Sequence, residues 1–353
     1  MTSSCTMPIT SSASSSSARR ACRSDQRGFS LPEVAVSLFL LSVISLIFYQ
    51  IFIGTMRTNM MLESHNDLAM LGQRSVNFVK EEVLQTKVLY QDDARGQSYL
   101  AKISVPAGLP VLSGSLLPIV DPGGSFVPDS TTRRTGNSLL LLREQVPSSY
   151  WIDHDADSST ADVEALADLY TFEYLYLTQN PARSFKGLGY YLDLISAGSQ
   201  QYASYVQVSG MTAAARAAVA QRLTADGVAY ALDPWQNAGQ AFYQLASDGT
   251  LTGPVDHTID LDRWESLLPE FRGGRIAGKM NYSVGVQLNP ALPTIEPINL
   301  YAQANGAFPG GMETQIVGSS SARKVMVRLI LLAEYGNKLN SHVNVVTSTT
   351  SEF

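Results

Sequence analysis

From Phe29 to Ile53 the chain carries a single charged residue, Glu33, in a run that is otherwise apolar or uncharged. About 20 such residues are enough for a helix to cross the hydrocarbon of a bilayer. The run therefore predicts a membrane-spanning helix. A carboxylate inside a span is costly and points to function by default. Glu33 lies near the polar end, where the cost is lower but a partner is still needed. Arg19, Arg20, Arg23 and Arg27 precede the run, which places the N-terminal side in the cytoplasm and the remainder outside. A secretory signal would need an apolar core of about 7–15 residues and a small-x-small cleavage site. The residues after this core, Gly54-Thr55-Met56-Arg57, supply no such site.

The junction Arg27-Gly28-Phe29-Ser30-Leu31-Pro32-Glu33, with the apolar run behind it, resembles the processing site of type IV prepilins and of the pseudopilins of type II secretion. The resemblance implies cleavage after Gly28 by a prepilin peptidase and methylation of the new terminus at Phe29. It also implies that Glu33 pairs with the terminal ammonium of a neighbouring subunit as a filament assembles. In a dry helical bundle either charge alone would be prohibitive, and pairing offsets that cost. Pro32 falls in the first helical turn, where a missing N–H costs little. The partners implied are the peptidase, other pilin or pseudopilin subunits, the inner-membrane assembly platform and the bacterial membrane. DNA joins them only for a competence-type filament.

Residues 1–28, the expected leader, contain the serine run Ser14 to Ser17 and show no hydrophobic periodicity, so they read as disordered. Both cysteines, Cys5 and Cys22, lie there. Cleavage would leave no cysteine to form a disulfide, whereas major pilins often carry a disulfide loop; this points to a minor subunit. The chain has 25 Lys+Arg against 31 Asp+Glu. Since four arginines belong to the leader, the exported part is more acidic than the whole. That balance argues against general nucleic-acid binding, although local patches at Arg133-Arg134 or Arg272 and Arg275 would suit DNA uptake.

The helix is expected to continue beyond the membrane as an amphipathic half, residues 54–90, with Leu68, Leu71, Phe78, Val79 and Val83 on one face. At 1.5 Å per residue, a helix from Phe29 to Tyr90 would be about 90 Å long. Residues 91–353 change to short strands between turns. The candidates are Tyr99–Val105, Ser138–Arg143, Tyr170–Thr178, Leu188–Ser196, Tyr202–Val208, Ala241–Ala246, Tyr282–Leu288 and Lys324–Glu334. Alternation in Tyr170–Leu177 predicts a sheet with one solvated face. Breaks are expected at Asp121-Pro122-Gly123-Gly124, Asn180-Pro181, Asp248-Gly249 and Pro309-Gly310-Gly311. One alanine-rich helix, Thr212–Leu223, interrupts the strands. The fold class is α+β: a long N-terminal helix packed on an antiparallel, β-rich exported domain with loop insertions.

Asp153, Asp155, Asp157 and Glu164 fall at positions one, three, five and twelve of a loop, the ligand spacing of a calcium site. Ser158 stands where glycine normally makes the turn, and Thr160 replaces the usual apolar residue. The alternative is a solvated acidic loop in which Asp162 or Thr160 caps a short helix, Val163–Leu169. His65, His154, His257 and His342 form no zinc spacing, and no nucleophile elbow, P-loop or dinucleotide fingerprint is present. The pair Asp260/Asp262 reads as solvated strand or loop. No catalytic residue is assigned. The reading is a structural, minor subunit of a pilus-like or pseudopilus filament, first in the cytoplasmic membrane and then in a periplasmic or surface filament. The alternative is a bitopic membrane protein with a ligand-binding or enzymatic ectodomain.

Overall fold

A computed structural model describes residues 30–122, 126, 136–152, 161–185, 189–268, 281–283, 285–288, 311–319, 322–335 and 338–351. The chain divides into two compact units, Met1–Arg57 and Thr58–Phe353. Helix α1 (Leu31–Leu84) is followed by strand β1 (Thr86–Tyr90), helix α2 (Ala94–Leu100) and the short strands β2 (Ile103–Ser104) and β3 (Val120–Asp121). Next come β4 (Leu139–Glu144), β5 (Ser148–Ile152), β6 (Val163–Ala167) and the long strands β7 (Leu169–Phe185) and β8 (Gly189–Ser204). Helices α3 (Tyr205–Ser209) and α4 (Ala213–Ala225) lead to β9 (Tyr230–Leu232), α5 (Ala238–Ala241), β10 (Phe242–Leu245) and β11 (Leu251–Val255). The remaining strands are β12 (Ile259–Asp260), β13 (Arg263–Ser266), β14 (Asn281–Ser283), β15 (Gly285–Leu288), β16 (Met312–Ser319), β17 (Ala322–Tyr335) and β18 (Lys338–Ser351).

The larger sheet runs β1-β4-β7-β8-β9-β10-β11, with β13 and β15 also pairing along β8. A second sheet runs β14-β17-β16-β3, with β18 on the free side of β17. Most pairings are antiparallel; β8–β9, β16–β3 and β12–β2 are parallel. The α+β class expected from the sequence is the one observed.

Helix α1 contains no proline beyond its first turn, so its hydrogen-bond ladder runs unbroken. Its buried residues in the second unit include Leu68, Val76, Val79 and Val83. These pack with Leu139, Leu141, Leu175, Leu177, Leu192 and Leu194 of the larger sheet and with Ile316, Val325 and Val327 of the second. Leu71 and Phe78 are partly buried against the same cluster, as the helical spacing predicts. The helix stops at Leu84, short of the expected Tyr90. The β-branched residues Thr86 and Val88 open β1, which is held by β4 through Val88↔Leu142, Leu89↔Leu141 and Tyr90↔Leu140. Tertiary pairing overrides a helical continuation there.

Other expectations are corrected. Of the strand expected over Tyr99–Val105 only Ile103–Ser104, β2, forms: Tyr99 and Leu100 belong to helix α2, whose N-cap Asp93 accepts a hydrogen bond from the Gly96 amide (2.7 Å). The strand expected over Tyr202–Val208 ends at Ser204, which caps α3. Val163–Leu169 is not a helix; Val163–Ala167 forms β6 and pairs with β5. Asn180-Pro181 does not end β7, which passes through it with a register shift between Gln179 and Ser184. The expected solvated face of β7 is absent too. Phe172, Tyr174 and Tyr176 enter an aromatic core with Tyr90, Tyr99, Tyr202 and Phe242, while Leu175 and Leu177 join the leucine core under α1. Alternation here separates two cores, one aromatic and one aliphatic. The alanine-rich helix is α4, with Thr212 as its N-cap, and it covers a third core on Ile152, Leu169 and Leu245.

Candidate functional site

At the head of α1, Ser30 and Glu33 are joined within the helix's first turn. The Ser30 amide donates to Glu33 Oε2 (2.9 Å), and Ser30 Oγ donates to the same oxygen (2.8 Å). This is the Ser-x-x-Glu arrangement in which a third-position carboxylate satisfies an orphan amide at the helix start. Pro32, in the same turn, brings no further unsatisfied amide. Among the described residues Glu33 Oε1 takes no hydrogen bond. Beyond this turn the large apolar side chains from Leu31 to Phe52 are exposed in the isolated chain, with Phe39 at 67% and Phe48 at 68%. The most apolar 18-residue window of α1 has a mean hydropathy of 2.4, and α1 is long and apolar enough to cross a membrane. Gly28 and Phe29 lie outside the described residues.

The second unit holds a polar cleft that sequence reasoning missed. Its volume is about 380 Å³, and its lining comes from α1 (Phe78, Glu82), β4 (Arg143), β7 (Thr171, Glu173), β8 and β13. On the sheet face that carries Leu175 and Leu177, the leucine row gives way to Glu173. Arg143 Nη1 donates to both Glu82 oxygens, at 3.0 and 3.2 Å. Burial still pushes the Glu82 carboxyl above the usual range, outweighing the opposing pull of Arg143. Ser196 Oγ donates to Glu173 Oε1. Burial raises Glu173 to about 7; the Ser196 hydrogen bond opposes the rise, the Glu82 charge adds to it, and Arg263 and Arg143 oppose it more weakly. Arg263 Nη2 donates to the Ser199 carbonyl. One signal could have revealed the site: Glu173 is the only charge in Tyr170–Leu177, a run that is otherwise core.

Of the expected calcium ligands, Asp153, Asp155 and Asp157 lie outside the described residues. Glu164 sits in β6 opposite Trp151, and Ser149 Oγ donates to its Oε1. Arg133, Arg134, Arg272 and Arg275 are also outside the described residues. Asp260 and Asp262 are exposed. His257 meets the Tyr202 hydroxyl through Nε2 (3.1 Å) and packs on the Tyr230 ring (4.0 Å between centroids). Half-burial lowers its pKa against the opposing pull of Asp260 and Asp256.

A model of the prokaryotic N-terminal methylation motif matches residues 23–49. The chain therefore carries a prepilin-type methylation motif at the head of its long apolar helix. Neither the curated proteins nor the solved structures yield a match.

Proposed function

We propose that this chain is a structural subunit, of the minor kind, of a type IV pilus-like or type II secretion pseudopilus filament. A prepilin peptidase cuts it after Gly28 and methylates Phe29. The observation that carries this reading is the methylation motif at residues 23–49, overlapping a helix whose large apolar side chains from Leu31 to Phe52 are exposed among the described residues. In the membrane those side chains face lipid; in a filament they face other subunits. The bond from the Ser30 amide to Glu33 survives cleavage, because Ser30 keeps an amide N–H when Phe29 becomes the terminus. Glu33 then has Oε1 to offer a neighbouring ammonium. The exported residues, 54 onward, face the periplasm or the cell surface. The proposed partners are the peptidase, other pilin-like subunits and the inner-membrane assembly platform.

The test is peptidase processing of the wild type and of Gly28→Ala. The wild type is expected to shorten by its leader and the variant to keep it. If the wild type keeps residues 1–28 beside an active peptidase, the reading fails, and a bitopic protein with a ligand-binding ectodomain takes its place. The polar cleft is the observation that favours this second reading.

A further inference from the structure

We propose that residues 256–262 are an acid-released strap: protonation of His257 loosens its grip on the aromatic core and uncovers Tyr202 and Phe242. The strap alternates strictly. His257 is half-buried and Ile259 and Leu261 are buried, while Asp256, Thr258, Asp260 and Asp262 between them are exposed. Ile259 and Leu261 belong to the aromatic core. Backbone ties are few. The Ile259 amide donates to the Lys102 carbonyl (2.8 Å) and the Leu261 amide to the Ser104 carbonyl (3.0 Å). Strands β12 and β2 pair with each other, apart from the two larger sheets. So short a pair of strands is marginal alone, which leaves the inward side chains to hold the strap down.

Of these only His257 titrates. Its ring lies against three strands of the larger sheet, with centroids 4.0 Å from Tyr230 of β9, 5.0 Å from Phe242 of β10 and 5.7 Å from Tyr202 of β8. Its Nε2 meets the Tyr202 hydroxyl (3.1 Å) and the Gln200 side-chain nitrogen (3.5 Å). A neutral imidazole nitrogen accepts from such donors, and a protonated one cannot. A proton on Nε2 sets donor against donor at Gln200 and takes from Tyr202, itself buried, the acceptor for its hydroxyl. Attraction of an imidazolium to the ring faces offsets only part of this.

The groups facing His257 are Gln200 and Tyr202 from β8, Tyr230 from β9, Phe242 from β10, and Asp256 and Asp260 from the strap. Burial keeps the Tyr202 hydroxyl protonated. The two carboxylates favour a cation, but both are exposed and screened by solvent, and Asp256 is already paired with Lys102. Burial prevails, so the imidazole of the closed strap titrates below its ordinary 6.5. In the released strap it meets water and returns to that value. Release therefore takes up a proton from solvent, and closure weakens as pH falls through 6.5. No covalent bond changes.

The experiment is hydrogen exchange read by mass spectrometry on the full chain in detergent micelles, at pH 7.5 and pH 5.5, corrected for the intrinsic pH dependence of exchange. Protection of the Ile259 and Leu261 amides should fall several-fold at pH 5.5, while β7 and β8 keep theirs. Glu173 cannot produce this loss, since its protonation over the same range stabilises the fold. His257→Gln retains an acceptor for Tyr202 but does not titrate, so its protection should be the same at both pH values. Equal wild-type protection at the two pH values, a loss that extends over β7 and β8, or an undiminished loss in His257→Gln overturns the proposal. Should His257→Gln fail to fold, Tyr202→Phe takes its place. Without the hydroxyl the acid-induced loss should shrink, and a loss as large as in wild type overturns the proposal. The strap is independent of the filament reading, since peptidase processing can fail without touching it.

Discussion

Glu173 occupies a core strand beneath a long helix, where the Ser196 hydroxyl bonds one of its oxygens and burial governs its proton. The folded carboxyl holds that proton to about pH 7, against a reference of 4.5. Between those values the folded state binds more protons than the unfolded one, so stability falls as pH rises through this window. The full loss is reached above pH 7 and amounts to about 3 kcal/mol at most. Glu173→Gln keeps the shape and the acceptor for Ser196 but removes the ionisation. Urea unfolding should show the variant more stable than wild type at pH 8, with the difference vanishing at pH 4. Equal stability at pH 8 would mean that the carboxyl ionises without penalty. Glu82 is the contrasting case. Burial raises its carboxyl too, yet it is fixed by Arg143, whose bond ties α1 to β4.

At the scale of the element, short helix α2 shows how few residues decide between helix and strand. Asp93 Oδ1 takes the Gly96 amide, and Oδ2 takes the Gln91 side chain (2.7 Å). Gly96 itself presses on the backbone, since a Cβ there would sit 1.9 Å from the Gln91 carbonyl oxygen. Asp93→Ala should cost about 1 kcal/mol, the usual worth of such a cap. Gly96→Ala should cost more, because backbone has to move, and a denaturation midpoint lower than that of Asp93→Ala is the outcome to look for. This Asp-x-x-Gly signal was legible in the sequence but was masked by the aromatic and β-branched residues that follow. The longer elements were easier to read. Helix α1 announced itself through its unbroken apolar run and the spacing of Leu68, Leu71, Val79 and Val83. Strands β4, β7, β8 and β17 did so through β-rich composition. Strands such as β1, β3 and β12 owe their existence to distant partners, and a local pattern carries no record of those. The cleft was hidden for the same reason. Glu82 looks like half of an exposed acidic pair until the helix is seen to turn it toward Arg143. Glu173 looks like the solvated phase of an alternating strand until both faces prove to be covered.

For the molecule as a whole, two kinds of surface divide the labour. Among the described residues, the Met1–Arg57 unit presents exposed apolar side chains, and the Thr58–Phe353 unit buries separate aliphatic and aromatic cores and opens a charged cleft. The head of α1 was the most legible part, because a short motif and a long apolar run constrain it together. Glu33→Ala should leave membrane insertion and leader removal intact while lowering the subunit's share of the sheared filament fraction; incorporation equal to wild type would refute the ammonium-pairing role. The most direct measurement of the central claim is the intact mass and N-terminal peptide of the chain recovered from sheared filaments of cells that contain a prepilin peptidase. A chain beginning at N-methyl-Phe29 is expected within that fraction. A chain that stays in the membrane with residues 1–28 attached would contradict it.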